Sequence, residues 1–536
     1  MNTKQLKAKV LDLAIHGKLL SPETVAELKK SPDYETADVL LEKIRKEKEE
    51  KIAKGELKRD KKDSYIFVGD DKRHYEKFAD GTVKDIEDEI PFDVPEGWAW
   101  ARIASLVSIN LGLTHTPKYV EKGIPFYSVK DISNGYLDES EPKYVSQEEF
   151  NTFLEGAKPR KGDIIFCRVG TIGKPHIVSV DYPFGIFVSV GFFRKYSERI
   201  NSKYIMDWMN SPFFYEQVDY NVKGGVIKNL NTGWLSEFLI PIPSEKEQQE
   251  IAFRIDEIFS KIALLEENKT ELQKTVTYAK AKILDLAIHG KLVPQDTNDE
   301  PASVLLEKLR AEKEEKIAKG ELKRDKNDSF IYKGSDNCYY EKFNRKEPVC
   351  IDEEIPFDIP DNWHWTKLGR ICTKLVDGDH NPPKGIEEKT DYIMASSRNI
   401  NHNTVEDLGN VRYLTKEMFE IENQRTKATE GDIFFTSVGT LGRSCIYDGS
   451  LNICFQRSVS ILNTQIDKNY LKYFFDSNFY QDYVVEHATG TAQLGFYLQE
   501  MSESYIAIPP ISEQTRIVSK IEEMFERLDQ IQNNLI

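Results

Sequence analysis

From Ser244 the chain runs without a proline or an interior glycine until Gly290, and its apolar residues follow a strict rule. Ile251, Ile255, Ile258, Ile262, Leu265, Leu272, Val276, Ala279, Ile283 and Leu286 fall at alternating steps of four and three, with Lys269 in the one polar slot. A 4-3 repeat held this long is the a/d seam of a coiled coil, narrower than the stripe of an ordinary surface helix. Pro243 and Ser244 provide a stop and an N-cap. From Ile251 to Leu286 such a helix would be about 54 Å long at 1.5 Å per residue. Such a helix is either the core helix of one large domain or a connector of separate bodies, and the flanking sequences favour the second.

The sequences on its two sides repeat each other. Lys7–Leu19 (KAKVLDLAIHGKL) returns with one change as Lys280–Leu292, and most of Leu40–Phe78 returns as Leu305–Phe343. Glu89–Trp100 (EIPFDVPEGWAW) returns as Glu354–Trp365 (EIPFDIPDNWHW), and Gly162–Ile177 returns more loosely as Gly431–Ile446. Pro241–Ile251 matches Pro509–Ile517, so that Glu247-Gln248 correspond to Glu513-Gln514. The interiors, roughly 101–240 and 366–508, diverge. Matched frames around different interiors imply two modules doing one kind of job on two targets. The repeat is also circular: Ile517, Ile521, Met524, Leu528, Ile531 and Leu535 keep the 4-3 spacing, and Leu6, Val10 and Leu13 supply the missing half before His16-Gly17. The two ends of the chain would then rebuild a second copy of the central helix, antiparallel to the first, about a pseudo-two-fold axis.

At 536 residues with 40% apolar content, the chain has material for more than one core. Its six cysteines (167, 338, 350, 372, 445, 454) form no CxxC pair and no zinc spacing, and read as reduced thiols. No run is apolar enough to span a bilayer, so a soluble, cytoplasmic protein is expected. The net charge of −16 opposes wholesale nucleic-acid binding. The first interior is close to neutral and the second more acidic, so contact with DNA would have to be local or shared with a more basic partner. Lys/Glu-rich stretches at 40–60 and 305–325 read as solvated helical faces, and Trp98, Trp100, Trp363 and Trp365 as core anchors. Short β runs at Ile164–Cys167, Ile186–Phe193, Ile433–Thr436 and Ser458–Leu462 mix with amphipathic stretches at Tyr204–Met209 and Tyr470–Phe475. The fold class is therefore α+β.

Asn381-Pro382-Pro383-Lys384 is close to the NPP-aromatic motif of amino-methyltransferases, but lysine replaces the aromatic that would stack on a base, and no glycine-rich cofactor loop precedes it. P-loop, HExxH and GxSxG motifs are absent, and His16 and His289 read as structural. The loops are more telling. His115, Thr116, Lys118 and Tyr119 in the first module face His380, Asn381 and Lys384 in the second. Lys223, Gly224, Gly225, Lys228 and Asn229 face Thr489, Gly490, Thr491 and Gln493. Arg168, Thr171 and Lys174, and in the second module Ser437, Thr440 and Arg443, flank a shared VGT turn; Arg398 is a further candidate for DNA contact. Small polar loops admit phosphates, and Arg, Asn and Gln read guanine and adenine edges.

Taken together, the paired KAK(V/I)LDLAIHGKL segments, the LVPQ at 292–295 with its NDEPASVLLEKL, the IP…WxW openings, the GDI–VGT strands and the IP–EQ–I helix starts resemble the specificity subunit of a Type I restriction-modification system. The resemblance implies two mixed α/β target-recognition domains separated by two long antiparallel coiled-coil helices. It implies a non-catalytic chain that reads a split double-stranded DNA sequence across a fixed gap and docks two methyltransferase subunits, to which restriction/translocase subunits attach. S-adenosylmethionine would belong to the methyltransferase partner, ATP and Mg to the restriction partner, and no cofactor to this chain. The expected segments are a scaffold helix (1–20), a charged helical linker (21–88), the first module (89–243), the central helix (244–292), a second charged helical linker (293–353), the second module (354–510) and a final helix (511–536). A helical adaptor that never touches DNA and a stand-alone adenine methyltransferase are the alternative readings.

Overall fold

The computed structural model describes residues 2–60, 63–221, 229–320, 328–343, 346–401, 403–490 and 493–534. It divides into two compact units, Met1–Asn268 and Lys269–Ile536, and each unit is a full copy of one plan. The helix Glu245–Ile288 runs unbroken through the division and gives one half to each unit.

In the first unit, helix Thr3–Ile15 starts on a capping box between Asn2 and Gln5. Lys7 Nζ lies 3.1 Å from Glu266, while Gly17 shares a crevice with Glu247 and Ile251. The two helices are therefore antiparallel, with Val10, Leu11, Ala14, Ile15, Ile251 and Ile255 buried in one core. In the second unit, Lys280 pairs with Asp529 of helix Ile511–Asn533. There Gly290 abuts Trp363, which bonds to Glu513, so this pair is antiparallel too. Along the predicted seam, Ile251, Ile255, Ile262, Val276 and Ile283 are buried, but Leu265 and Leu272 are 60% and 37% exposed. Those two stand where one unit's core ends and the other's begins.

The repeated sequence blocks meet at one joint in each unit. Gly17 and Gly290 both have φ +67°, and a Cβ there would lie 2.2 Å from Pro95 Cγ or 2.4 Å from Pro360 Cγ; only glycine fits. The preceding histidines stack on the phenylalanines of the IPFD segments, His16 on Phe92 at 4.0 Å and His289 on Phe357 at 3.9 Å. These rings meet Trp100 and Trp365 edge-on, and all four tryptophans of the WxW pairs are buried. Trp98 donates to buried Glu247 at 3.2 Å, and Trp363 donates to buried Glu513 at 3.0 Å. The neighbouring glutamines tie helix to module: Gln248 accepts from Asn201 N–H and donates to Pro243 C=O, as Gln514 does with Asp467 and Pro509. Buried polar groups need partners, which explains why EQ recurs with the first tryptophan of each WxW; the indole N–H groups of Trp100 and Trp365 are buried without one and recur for packing.

The segments expected to be charged helical linkers, 21–88 and 293–353, are helical only in their first parts. After Ala37–Ala53 and Ala302–Ala318 come three-stranded antiparallel sheets, Ser64–Val68, His74–Phe78 and Val83–Asp85 in one unit and Ser329–Lys333, Tyr339–Phe343 and Val349–Cys350 in the other. The aromatic alternation of SYIFV and SFIYK is a period-2 signal that the dense Lys/Glu run before it obscured.

The modules share their topology despite the divergence of their sequences. Each opens with a strand paired to the last one before the helix, Ala99–Arg102 with Leu239–Ile242 and His364–Lys367 with Tyr505–Ile508. Each has a four-stranded antiparallel sheet in one spatial order: Val107–Leu111, Val190–Lys195, Ile164–Cys167, Gly173–Ile177, and correspondingly Cys372–Asp377, Val459–Thr464, Ile433–Thr436, Ser444–Ile446. A second sheet pairs Ile124–Tyr127 in parallel with Gly185–Ile186, and Tyr392–Ala395 with Asn452–Phe455. The expected strand Ile186–Phe193 is split at 187–189, and that break is where the loops gather.

Candidate functional site

The break is a tight turn in both modules, Phe187-Val188-Ser189 and Gln456-Arg457-Ser458, and its serine ties the surrounding loops together. Ser189 Oγ accepts the N–H of Val129 at 3.2 Å, and its carbonyl accepts that of Arg168 at 2.9 Å. Ser458 does the same for Ser397 at 3.0 Å and Ser437 at 2.9 Å. The residue before each serine donates its N–H to the next loop, Val188 to Leu113 at 2.9 Å and Arg457 to Asp379 at 2.8 Å. That loop passes so close that a Cβ on Gly112 or Gly378 would sit 2.3 or 2.2 Å from the turn's own carbonyl oxygen, Phe187 O or Gln456 O. The last loop joins through Leu230 N–H on Arg168 C=O and Phe496 N–H on Ser437 C=O, both 2.8 Å. Five loops per module thus share one rim.

This geometry fixes the correspondence that the diverged sequences left open. Leu113 matches Asp379, so Thr114 matches His380, His115 matches Asn381 and Lys118 matches Lys384. That is one residue off the sequence pairing, in which His115 faced His380. His115, Thr116, Lys118, Asn381 and Lys384 are exposed along these loops. His380 bonds Asp377 Oδ2 at 2.7 Å. Burial pushes the Asp377 carboxyl up, but hydrogen bonds from His380 and Arg425 outweigh it and hold the group below its ordinary value. Tyr119, 40% exposed, begins a short strand, its ring edge-on to Phe126 and with the Lys143 ammonium 4.4 Å from it.

Two predicted contacts face inward. Arg168 is buried, and its guanidinium donates to Leu230 C=O at 3.1 Å and Val188 C=O at 2.9 Å; burial lowers its pKa. Ser437 is buried, with its hydroxyl against that of Ser460. Both hold loops in place. Thr171 and Lys174 remain exposed, and Lys174 takes φ +51°, a strained backbone for a residue with a Cβ. Thr440 donates to Ser397 C=O at 3.1 Å, while Arg443 is half-buried. Thr489 pairs with Gly495, Gly490 takes φ +128°, and Gln493 lies beside Gly439 and Ser397. Asn229 is exposed and bridges Val169. Lys223, Gly224, Gly225, Lys228 and Thr491 lie outside the described residues.

Arg398 is exposed in the short turn Ser397–Asn399. Its counterpart, Lys130 in Val129–Ile132, escaped the sequence reading. So did Arg457, exposed at the tip of the turn where the first module has Val188. The signal was present but short: the Ser-Val of 189–190 and of 458–459. The cysteines offer no chemistry here, since burial pushes the thiols of Cys445 and Cys454 up to about 12. Among the described residues, no cluster of His, Cys, Asp and Glu is arranged to hold a metal ion.

Comparison with known proteins agrees with this duplicated plan. The family described as "Type I restriction modification DNA specificity domain" matches residues 95–274 and 360–536. The Type I restriction enzyme EcoEI specificity subunit of Escherichia coli is 23% identical over 99% of this chain and 90% of its own length. The EcoAI specificity subunit of the same organism is 24% identical over 98% and 90%. A chain from a structural study of assembly and conformational transition in the type I R-M system superposes with a TM-score of 0.51 at 16% identity, covering 83% of this chain and 94% of the other.

Proposed function

Because this chain belongs to the Type I restriction-modification DNA specificity family, we propose that it reads a split double-stranded DNA sequence, one half with each module, and seats methyltransferase subunits on its helical frame. The observation that carries this reading is the shared rim. Ser189 in one module and Ser458 in the other each bind two loops directly, and further loops join through the neighbouring residue and through Arg168 or Ser437, with the same backbone bonds and different side chains at the tips. A device built twice on one scaffold with different tips suits two different half-sites. Direct readout needs side chains at base edges, and positioning needs contacts to phosphates. The rims offer both kinds, with Lys118, Lys174, Lys384 and Arg398 as cations and His115, Asn381 and Gln493 as polar readers.

Catalysis in this reading belongs to the partners. The methyltransferase would bring S-adenosylmethionine, and a restriction/translocase subunit, attached through it, would bring ATP and Mg. The setting is the cytoplasm of a prokaryote. With a net charge of −16, this chain neutralises few phosphates by itself, so the partner supplies much of the salt-dependent grip.

The test is methylome sequencing of a host that expresses the chain with its methyltransferase. A bipartite methylated sequence is expected, and exchange of residues 101–240 for the matching interior of a relative should alter one half of it. Alteration of both halves, or of neither, would refute the assignment of one half-site to each module.

A further inference from the structure

Lys130 and Arg398 occupy one position in two modules whose interiors otherwise share little sequence. Each follows a serine cap. Ser128 N–H bonds Asp131 Oδ2 at 2.6 Å, and Ser396 N–H bonds Asn399 Oδ1 at 3.0 Å. The residue between serine and cation, Val129 or Ser397, gives its N–H to the rim serine. Beyond the cation, the carbonyls of Asp131 and Asn399 accept the N–H groups of Asp138 and Glu406, both at 2.8 Å. Ile132 and Ile400 anchor the turn from below at 1% and 0% exposure. In the second module, Thr440 adds a further bond to Ser397 C=O. The backbone on both sides of the cation is thus tied down while the cation itself is exposed. The Lys130 side chain is 62% exposed, and its ion pair with Asp131 is long, at 3.9 Å. Folding has no use for a charge presented this way.

We infer that Lys130 and Arg398 are equivalent phosphate anchors that set each module's register on the duplex, and that base choice is made by neighbouring tips that differ. This rests on the DNA-reading function proposed above. A group that two modules share cannot tell two half-sites apart. What they share must answer to what all DNA shares, the phosphate backbone. The tips that differ stand close by: Val188 faces the position of Arg457, and His115 that of Asn381. Lysine in one module and arginine in the other both serve for a phosphate, whereas a guanine edge favours the planar fork of arginine.

The experiment uses the full chain assembled with its methyltransferase, a duplex carrying the methylated sequence and a scrambled duplex. K130Q and R398Q should each weaken binding to both duplexes by the same factor and lower the slope of log affinity against log salt by about 0.9. The methylated sequence should not change. K130R and R398K should restore affinity and slope, and melting temperatures should match the parent. A changed methylated half-site in R398Q or K130Q would make the residue a base reader and overturn the inference, as would an unchanged salt slope. If the unaltered complex methylates no bipartite sequence, the proposed function itself fails; if it does and the variants behave like it, only the anchors fail.

Discussion

Replacing Gly290 with alanine tests whether the joint between helix and module is the structural reason for the repeated HG. Two costs add. Its φ of +67° lies in the left-handed region, where a Cβ costs about 1–2 kcal/mol. The new Cβ would also stand 2.4 Å from Pro360 Cγ and 2.8 Å from its Cδ. A proline ring cannot rotate away, so the overlap must move backbone, at about 1–3 kcal/mol. The sum is about 2–5 kcal/mol. At about 2–4 °C per kcal/mol for a body of this size, the second unit's transition should fall by roughly 4–20 °C. Gly320 separates the two costs, because it has φ +75° and nothing within 4 Å of its would-be Cβ. G320A should therefore show the backbone cost alone. Calorimetry of the full chain compares them, with G17A and G55A as the matching pair in the first unit. If G290A melts no lower than G320A, the contact with Pro360 is not what holds glycine there, and the account of the joint is wrong.

Arg168→Met leaves two carbonyls without their donor and should cost about 1–3 kcal/mol, seen as a lower melting temperature of the first unit with the methylated sequence unchanged. A changed half-site at full stability would return Arg168 to the readers. Asp207 sits buried beside Lys203, and burial pushes its carboxyl from 3.8 up to about 7. The folded state therefore keeps a proton that the unfolded chain has released, and this group's contribution falls as pH rises from about 4 to 7. The melting temperature of the parent minus that of D207N should decline across that window and level off above it; a difference independent of pH would mean that Asp207 is already ionised in the folded state.

What the sequence made legible follows from where its signals are long. The 4-3 seam and the duplicated blocks are strong because helix packing and the joint constrain many residues at once. Glu247 and Glu513 must meet a tryptophan N–H, and Gly17 and Gly290 must meet a proline. The aromatic alternation at 65–67 and 330–332 is only a few residues long, so it was lost beside its charged neighbours. The site was harder still. Its organising residue is one serine per module, Ser189 or Ser458, and the bonds it makes are to backbone N–H groups that any sequence can supply. Arg168 misled for the opposite reason: its residue type suits a base edge, and only the fold shows its donors aimed inward.

That same property explains how one frame can carry two different interiors. The bonds that the two modules share in closing the rim run from a backbone N–H to the rim serine or to a backbone carbonyl. Arg168 in one module and Thr440 in the other add side-chain bonds, while the side chains of His115, Val188, Asn381 and Arg457 take no part in the shared ones. Substituting Val188 by arginine, as at Arg457, or His115 by asparagine, as at Asn381, leaves those bonds standing. Surface changes of this kind usually stay within about 0.5 kcal/mol, whereas a change at the joint costs several. Drift is therefore cheap at the tips and expensive at the joint. The distribution of identity between the two halves of this chain, high at HG, IPFD, WxW and EQ and low from 101 to 240 and from 366 to 508, is what that inequality produces over time. In this reading, recognition can change without refolding the protein because the shared bonds of the rim do not depend on the side chains at these tips.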